Sequence, residues 1–398
     1  MDILIIGNGF DLANGMKTRY SDFLKFAIRI KYILEKKDID EELKCDKKIE
    51  KILEKNCENV RNNIFERRDL LETLFLNNVW IDYFVKKTKC IPDRWVDFEE
   101  EIGCVIHSIY DEKNFEDLRL PWTSGDMVDC IQKYCEEIGE NKDISVEEEK
   151  ERYILILEEH LIRLEKALEL YLREYVMQAG IECSVPEVRE ILEKNKDIQI
   201  ISFNYTDTIE KYYGINNRSI VYIHGRLGED TEYKKTDLIL GIDDKDDRLI
   251  HEMIFLPFYK YCRREIKGAS HRTKKLSLEL MEHTETLLKA KRFYTENKVE
   301  MDMIEGGDKD YQEVYAKYLQ EFEDRNKKTN LYIFGHSLAV SDREYLMDFL
   351  TNEQIRTTVF FHDEKQKTDQ IKNLITMLGR GPFVDYTSRD RIVFCEQR

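Results

Sequence analysis

A chain of 398 residues is long enough for two domains, or for one elaborated domain with an ample core. Its 63 basic against 80 acidic residues give a net charge of -17, which argues against a broad phosphate-tracking surface and against nucleic acid as a partner. Nine cysteines, odd in number and without a CxxC pair, argue against a disulfide framework or zinc knuckle and place the expectation in a reducing compartment, the cytoplasm. No apolar run approaches the roughly 18 residues of a membrane span, and no secretory leader pattern precedes the first apolar run, so a soluble protein is expected.

The first element is "ILII", Ile3 to Ile6, which stops at Gly7-Asn8-Gly9. An apolar run bounded by turn formers predicts a buried strand, and glycines at its carboxyl end let the backbone approach something closely, commonly a phosphate. Leu12 stands where the dinucleotide fingerprint GxGxxG has its third glycine, so a tight strand-to-helix turn without a ligand explains the stretch equally well. Phe23, Leu24, Ala27, Ile30 and Leu34 then recur at helical spacing, with Thr18 or Ser21 as the cap. Residues 36 to 196 are charge-rich, with leucine and isoleucine at i, i+3 and i+4 beneath the charges, which predicts an α-helical insertion with solvated faces.

Short apolar runs return at 198–203, 219–224, 237–242, 330–335, 356–361 and 391–394, and predict six more strands. A second helical block, 248 to 328, interrupts them, and "SDREYLMDFL" and "TDQIKNLITML" supply helices between the last strands. This alternation predicts an α/β fold with a mostly parallel, doubly wound sheet. The core is expected from residues 1–35, 197–247 and 329–398, with helical insertions at 36–196 and 248–328. In such sheets ligands bind beyond the carboxyl ends of the strands, at the switch point of the topology.

Four expected strand ends carry polar residues: Gly7-Asn8-Gly9, Asn204-Tyr205-Thr206, His224-Gly225 and Gly335-His336-Ser337. Taken singly, Asn204 reads equally well as the cap of the helix beginning in "TDTIEKYY", and His224 as a hydrogen-bonded structural histidine. Taken together they point to one crevice.

The segments "IIGNGFDLANGMKTRYSDFL", "RWVDFEEEIG", "SFNYTDTIEKYY", "YIHG" and "FGHSLAVSDREYL", in that order, resemble the abortive-infection H (AbiH) family of bacterial phage-defence proteins. The order of glycine loop, Asn motif, His-Gly and final Gly-x-Ser loop also resembles sirtuin-like domains, which bind NAD on a Rossmann-like sheet and whose defence members hydrolyse it. The resemblance implies Asn204 and His224 as catalytic residues and a nucleotide loop at Gly7, Asn8, Gly9, Phe10 and Asp11. It implies further nucleotide contacts from Thr206, Asp207, Gly225, Gly335, His336 and Ser337. Thr206 stands where the superfamily has aspartate, which leaves the hold on the ribose to Asp207 if that side chain reaches the same place. The absence of CxxC pairs argues against zinc and against protein deacetylation, so hydrolysis of NAD without a metal is the expected chemistry. His224, neutral near pH 7, would accept a proton and Asn204 would orient the attacking water.

Two alternatives remain open on the sequence. "FGHSLA" nearly matches the nucleophile elbow G-x-S-x-G and would make Ser337 the nucleophile of a serine hydrolase, although the capping box "SDRE" starts the helix later and leaves Ser337 in a loop. The other is a nucleotide-sensing module without catalysis, whose helical insertions bind a protein trigger or partner, or a second copy of the chain. The acids of "WVDFEEE" read either as a solvated helix start or as ligands for metal or ribose.

Overall fold

The computed structural model describes residues 2–37, 44–60, 64–90, 98–111, 125–139, 146–216, 220–242, 252–267 and 329–397. Six strands among them, β1 (Ile3–Ile6), β2 (Gln199–Ser202), β3 (Ile220–Tyr222), β4 (Thr329–Phe334), β5 (Ile355–Phe361) and β6 (Ile392–Glu396), form one sheet in the order β3-β2-β1-β4-β5-β6. Every pairing is parallel. The fold is therefore α/β and doubly wound, with the chain leaving β1 first toward β2 and β3 and later returning to β4 on the other side.

Both faces of the sheet are covered, which is why the central strand β1 is apolar throughout and does not alternate. Ile3, Ile5, Ile201, Leu331, Ile333 and Val359 look one way, onto Leu346 and Phe349 of helix Arg343–Thr351 and Leu374 of helix Glu364–Leu378. Leu4, Ile6, Ile200 and Phe334 look the other way, onto Phe10 of helix Asn8–Ala13, Val188 and Ile191 of helix Pro186–Lys194, and Ile209 of helix Thr208–Tyr213.

A separate helical body has its own core. It unites helices Tyr20–Leu34, Val79–Cys90, Phe98–Asp111, Gly125–Glu137 and Val146–Tyr171, the last running on through a π-helical turn, Leu172–Val176. Stacked rings run through it, Trp80 on Phe84, Phe84 on Phe98 at 4.0 Å and Phe98 on Tyr20 at 4.2 Å. Helix Tyr20–Leu34 packs in the core of the helical body, and helix Pro186–Lys194 packs on the sheet. Trp95 and most of the second helical block, 268–328, lie outside the described residues.

The run 237–242 does not join the sheet. Its backbone is shared among unlike partners: Ile239 N–H donates to His224 O (2.9 Å), Leu240 N–H to the Glu165 carboxylate (2.8 Å), and Ile242 makes an isolated bridge with Tyr259. Leu238, Leu240 and Ile242 are buried in the helical body instead, so the apolar run is explained by burial without a strand ladder. The crossing is close at Gly225, whose φ is +79° and where an added Cβ would lie 1.7 Å from Asp237 O. Gly225→Ala is expected to cost about 3 kcal/mol or more, read as a drop in the urea midpoint. An unchanged midpoint would mean that the two segments do not pass at this distance.

Candidate functional site

The topological switch point lies between β1 and β4, and it is filled by backbone. Gly7 N–H donates to Phe334 O (3.1 Å), Gly9 N–H to Gly335 O (2.8 Å) and Phe10 N–H to Gly7 O (2.8 Å). A Cβ on Gly7 or Gly9 would come within 2.8 Å of the Gly335 loop, and one on Gly335, whose φ is +66°, would lie 2.2 Å from Phe10 N. The close approach foreseen at these glycines is thus an approach of one loop to the other. The amides at Gly7, Gly9 and Phe10 that a pyrophosphate would use are spent on carbonyls, and Phe10 is core, packed against Tyr213 and Phe334.

The open space lies to one side, over the ends of β1, β2 and β3. A cavity of ≈ 160 Å³ is bounded by Asn8 and Asp11 from the first loop and helix, Phe203 to Thr206 after β2, and His224 after β3. The helical body closes it with Tyr20, Glu99, Leu168 and Leu172. Leu172 opens the π-helical turn, a local widening that interrupts the regular α-helix at the cavity wall.

Asn204 and His224 face this cavity together because β2 and β3 are adjacent, parallel and in register. Asn204 is not a helix cap: the helix after it begins at Thr208, with Asp207 at its N-cap. Its main-chain N–H donates to Ser202 Oγ (3.2 Å), while both atoms of its side-chain amide are buried without a hydrogen-bond partner among the described residues. An amide left so costs on the order of 1–3 kcal/mol unless a ligand or water completes it.

Asp11 is the buried carboxylate of the cavity, 1% exposed. Thr206 donates its hydroxyl to Asp11 Oδ2 at 2.6 Å, and Thr208 Oγ1 stands 3.0 Å from Thr206 Oγ1, while Asp11 Oδ1 has no partner among the described residues. Burial pushes the Asp11 carboxyl up to about 6, against the pull of Thr206, Thr208 and Asn204 and with added repulsion from Asp207. Asp207 itself does not line the cavity, whereas Asp11, bonded to Thr206, does.

His224 is buried, and burial chiefly, with Lys260 and Arg264 adding positive charge, lowers its imidazole to about 4 against the opposing pull of Asp342. It is a neutral ring at pH 7. Its Nε2 lies 3.4 Å from Asp342 Oδ1, and its Nδ1 has no partner among the described residues. Asp342 was legible only as part of a capping box; in the fold it is the helix N-cap without a side-chain capping bond, its carboxylate turned inward between two histidines. Only the meeting of the β3 and β4 ends reveals it.

The remaining expected contacts lie elsewhere. Gly335 is consumed by the loop contact, His336 is buried against Asp342 and Phe203, and Gly225 serves the crossing at Asp237. Ser337 is exposed and outside the cavity lining, with its carbonyl accepting from Asn373 (3.1 Å). Glu99, from the acidic helix start, does line the cavity and pairs with the buried Lys260 at 2.6 Å. Thr18 binds Asn8 Oδ1 (2.6 Å) and does not cap its helix.

The family model described as "Bacteriophage abortive infection AbiH" matches residues 3–362, from the first strand to just beyond β5. The chain belongs to the AbiH family. No curated protein and no solved structure matches it. Among the described residues of this AbiH chain, no helix is long and apolar enough to cross a membrane.

The carboxylate of Asp11 carries a stability cost that can be measured. Its folded pKa lies above the unfolded value, so the folded state binds more protons between about 4 and 6, and stability falls as pH rises through that window. At pH 8 the full penalty, of order 3 kcal/mol, is present. Asp11→Asn is therefore expected to be more stable than the parent at pH 8 in urea unfolding, with the advantage shrinking toward pH 4. A less stable variant at pH 8 would show that the charged form is held favourably.

Proposed function

We propose that the cavity over β1–β3 is the active site of a cytoplasmic anti-phage effector that hydrolyses NAD at the bond between ribose and nicotinamide. The observation that carries this reading is the convergence on one cavity of three buried polar groups that complete no hydrogen bond among the described residues: His224 Nδ1, Asp11 Oδ1 and the Asn204 amide, which stands close enough to pull on the Asp11 carboxyl. Such groups are costly in an empty fold and are expected where a substrate completes them.

The lining also favours the nicotinamide riboside end over the phosphates. Among the described residues it holds two carboxylates, Asp11 and Glu99, the rings of Tyr20, Phe203 and Tyr205, and no lysine or arginine. Carboxylates and ring faces suit a cationic pyridinium and the oxocarbenium character that develops on the ribose. The phosphates would lie outside this pocket, since the Gly7, Gly9 and Phe10 amides are engaged.

In the proposed step, water attacks C1′ of the ribose as the C1′–N bond breaks, and the bonding pair passes to the nicotinamide nitrogen, which leaves neutral. The proton lost by the water goes to His224 Nδ1 and then to solvent; the products are nicotinamide and ADP-ribose. Asn204 orients the water or a ribose hydroxyl through its amide, and Asp11 balances the positive charge on the sugar.

Purified protein incubated with NAD is expected to release nicotinamide, and His224→Ala and Asn204→Ala are each expected to reduce the rate at least 100-fold with an unchanged thermal melt. Ser337→Ala is expected to retain most of the rate, because Ser337 lies outside the cavity. Full activity in His224→Ala, with loss confined to Ser337→Ala, would replace this reading with a serine hydrolase. The rate should also rise with pH through about 6 as Asp11 ionises, and a flat profile between pH 5 and 8 would remove Asp11 from the mechanism.

A further inference from the structure

The β4 loop brings a second histidine to the carboxylate that faces His224. His336 Nδ1 accepts the Leu338 main-chain N–H at 2.9 Å, so a neutral His336 carries its proton on Nε2, the atom 3.4 Å from Asp342 Oδ2. Asp342 Oδ1, which completes no hydrogen bond among the described residues, stands at the same 3.4 Å from His224 Nε2. The ring of Phe203 lies against both imidazoles, with centroids 4.2 Å from His336 and 5.5 Å from His224, and limits the directions in which either can turn. Burial works against the charge on Asp342, yet the two histidines beside it hold its carboxyl well below the usual range.

We propose that Asp342 is the positioning residue of the site: its carboxylate, anchored on one oxygen by His336, takes the Nε2–H of His224 on the other and so leaves the Nδ1 lone pair of His224 directed to the cavity. A carboxylate paired in this way selects one imidazole tautomer, fixes the ring plane and stabilises the cation that forms when the ring takes a proton. The unpartnered state of His224 Nδ1, on the ring atom opposite the carboxylate, is what this assignment requires. The inference rests on His224 acting as the base of the reading above, but the tautomer can be observed without any substrate.

The test is long-range 1H–15N correlation on the full chain labelled with 15N-histidine, with the His224 signals assigned through His224→Gln. Wild-type His224 is expected as the Nε2–H tautomer, and wild-type His224 as Nδ1–H overturns the proposal even if Asp342→Asn does not fold. In Asp342→Asn the amide oxygen is claimed by His336 Nε2–H, which leaves the amide NH2 opposite His224 Nε2; the variant is expected to convert His224 to Nδ1–H and to lower kcat for nicotinamide release by at least about 100-fold with KM within about threefold. A folded Asp342→Asn that keeps the Nε2–H tautomer overturns the proposal. His336→Gln retains an N–H donor for the carboxylate and is expected to leave the His224 tautomer unchanged; conversion there would transfer the role from Asp342 to the β4 loop as a whole and overturn the assignment. A tautomer change in Asp342→Asn, with no nicotinamide release from the wild type, would uphold the hold of Asp342 on the ring and remove NAD as the substrate.

Discussion

The contact between two glycine loops at the centre of the sheet organises the rest of the molecule. The turns after β1 and β4 meet backbone to backbone, with Gly9 N–H on Gly335 O and no room for a Cβ at Gly7, Gly9 or Gly335. In an open doubly wound sheet this is where a crevice is expected. Closing it has two consequences. The cavity is displaced over β1, β2 and β3, and the β4 loop is drawn toward β3 so that His336 and Asp342 stand beside His224.

The helical body completes what the sheet begins. A parallel sheet presents its strand ends on one edge, and without a cover Asn204, Asp11 and His224 would be solvated and their polar atoms satisfied by water. Tyr20, Glu99, Leu168 and Leu172 supply that cover, and burial lifts Asp11 to about 6 and lowers His224, so that one cavity holds a raised carboxylate and a neutral imidazole. Stability is given up at Asp11, whose charge is buried at neutral pH, in the manner of a site that keeps a group for its chemistry. Salt links tie the cover in place: Glu99 to Lys260, and Glu165 to Arg263 and Lys267.

The amino-acid order by itself pointed to the sheet, because a continuous apolar run such as Ile3–Ile6 suits a strand buried on both faces, and alternation with helices implies parallel pairing. It also marked Asn204 and His224, since polar residues closing apolar runs must lie at the strand ends. The run 237–242 misled for the same reason: burial, not a ladder, demands its hydrophobicity, and composition does not distinguish the two. What only the tertiary structure decided were relations between distant segments. The glycines of the first loop are explained by a backbone more than 300 residues away, Asp11 by Thr206, and Asp342 by two imidazoles on separate strand ends. Each is a contact whose partner is unspecified until the sheet order is set, so local spacing, which records periodicity and capping alone, holds no trace of it.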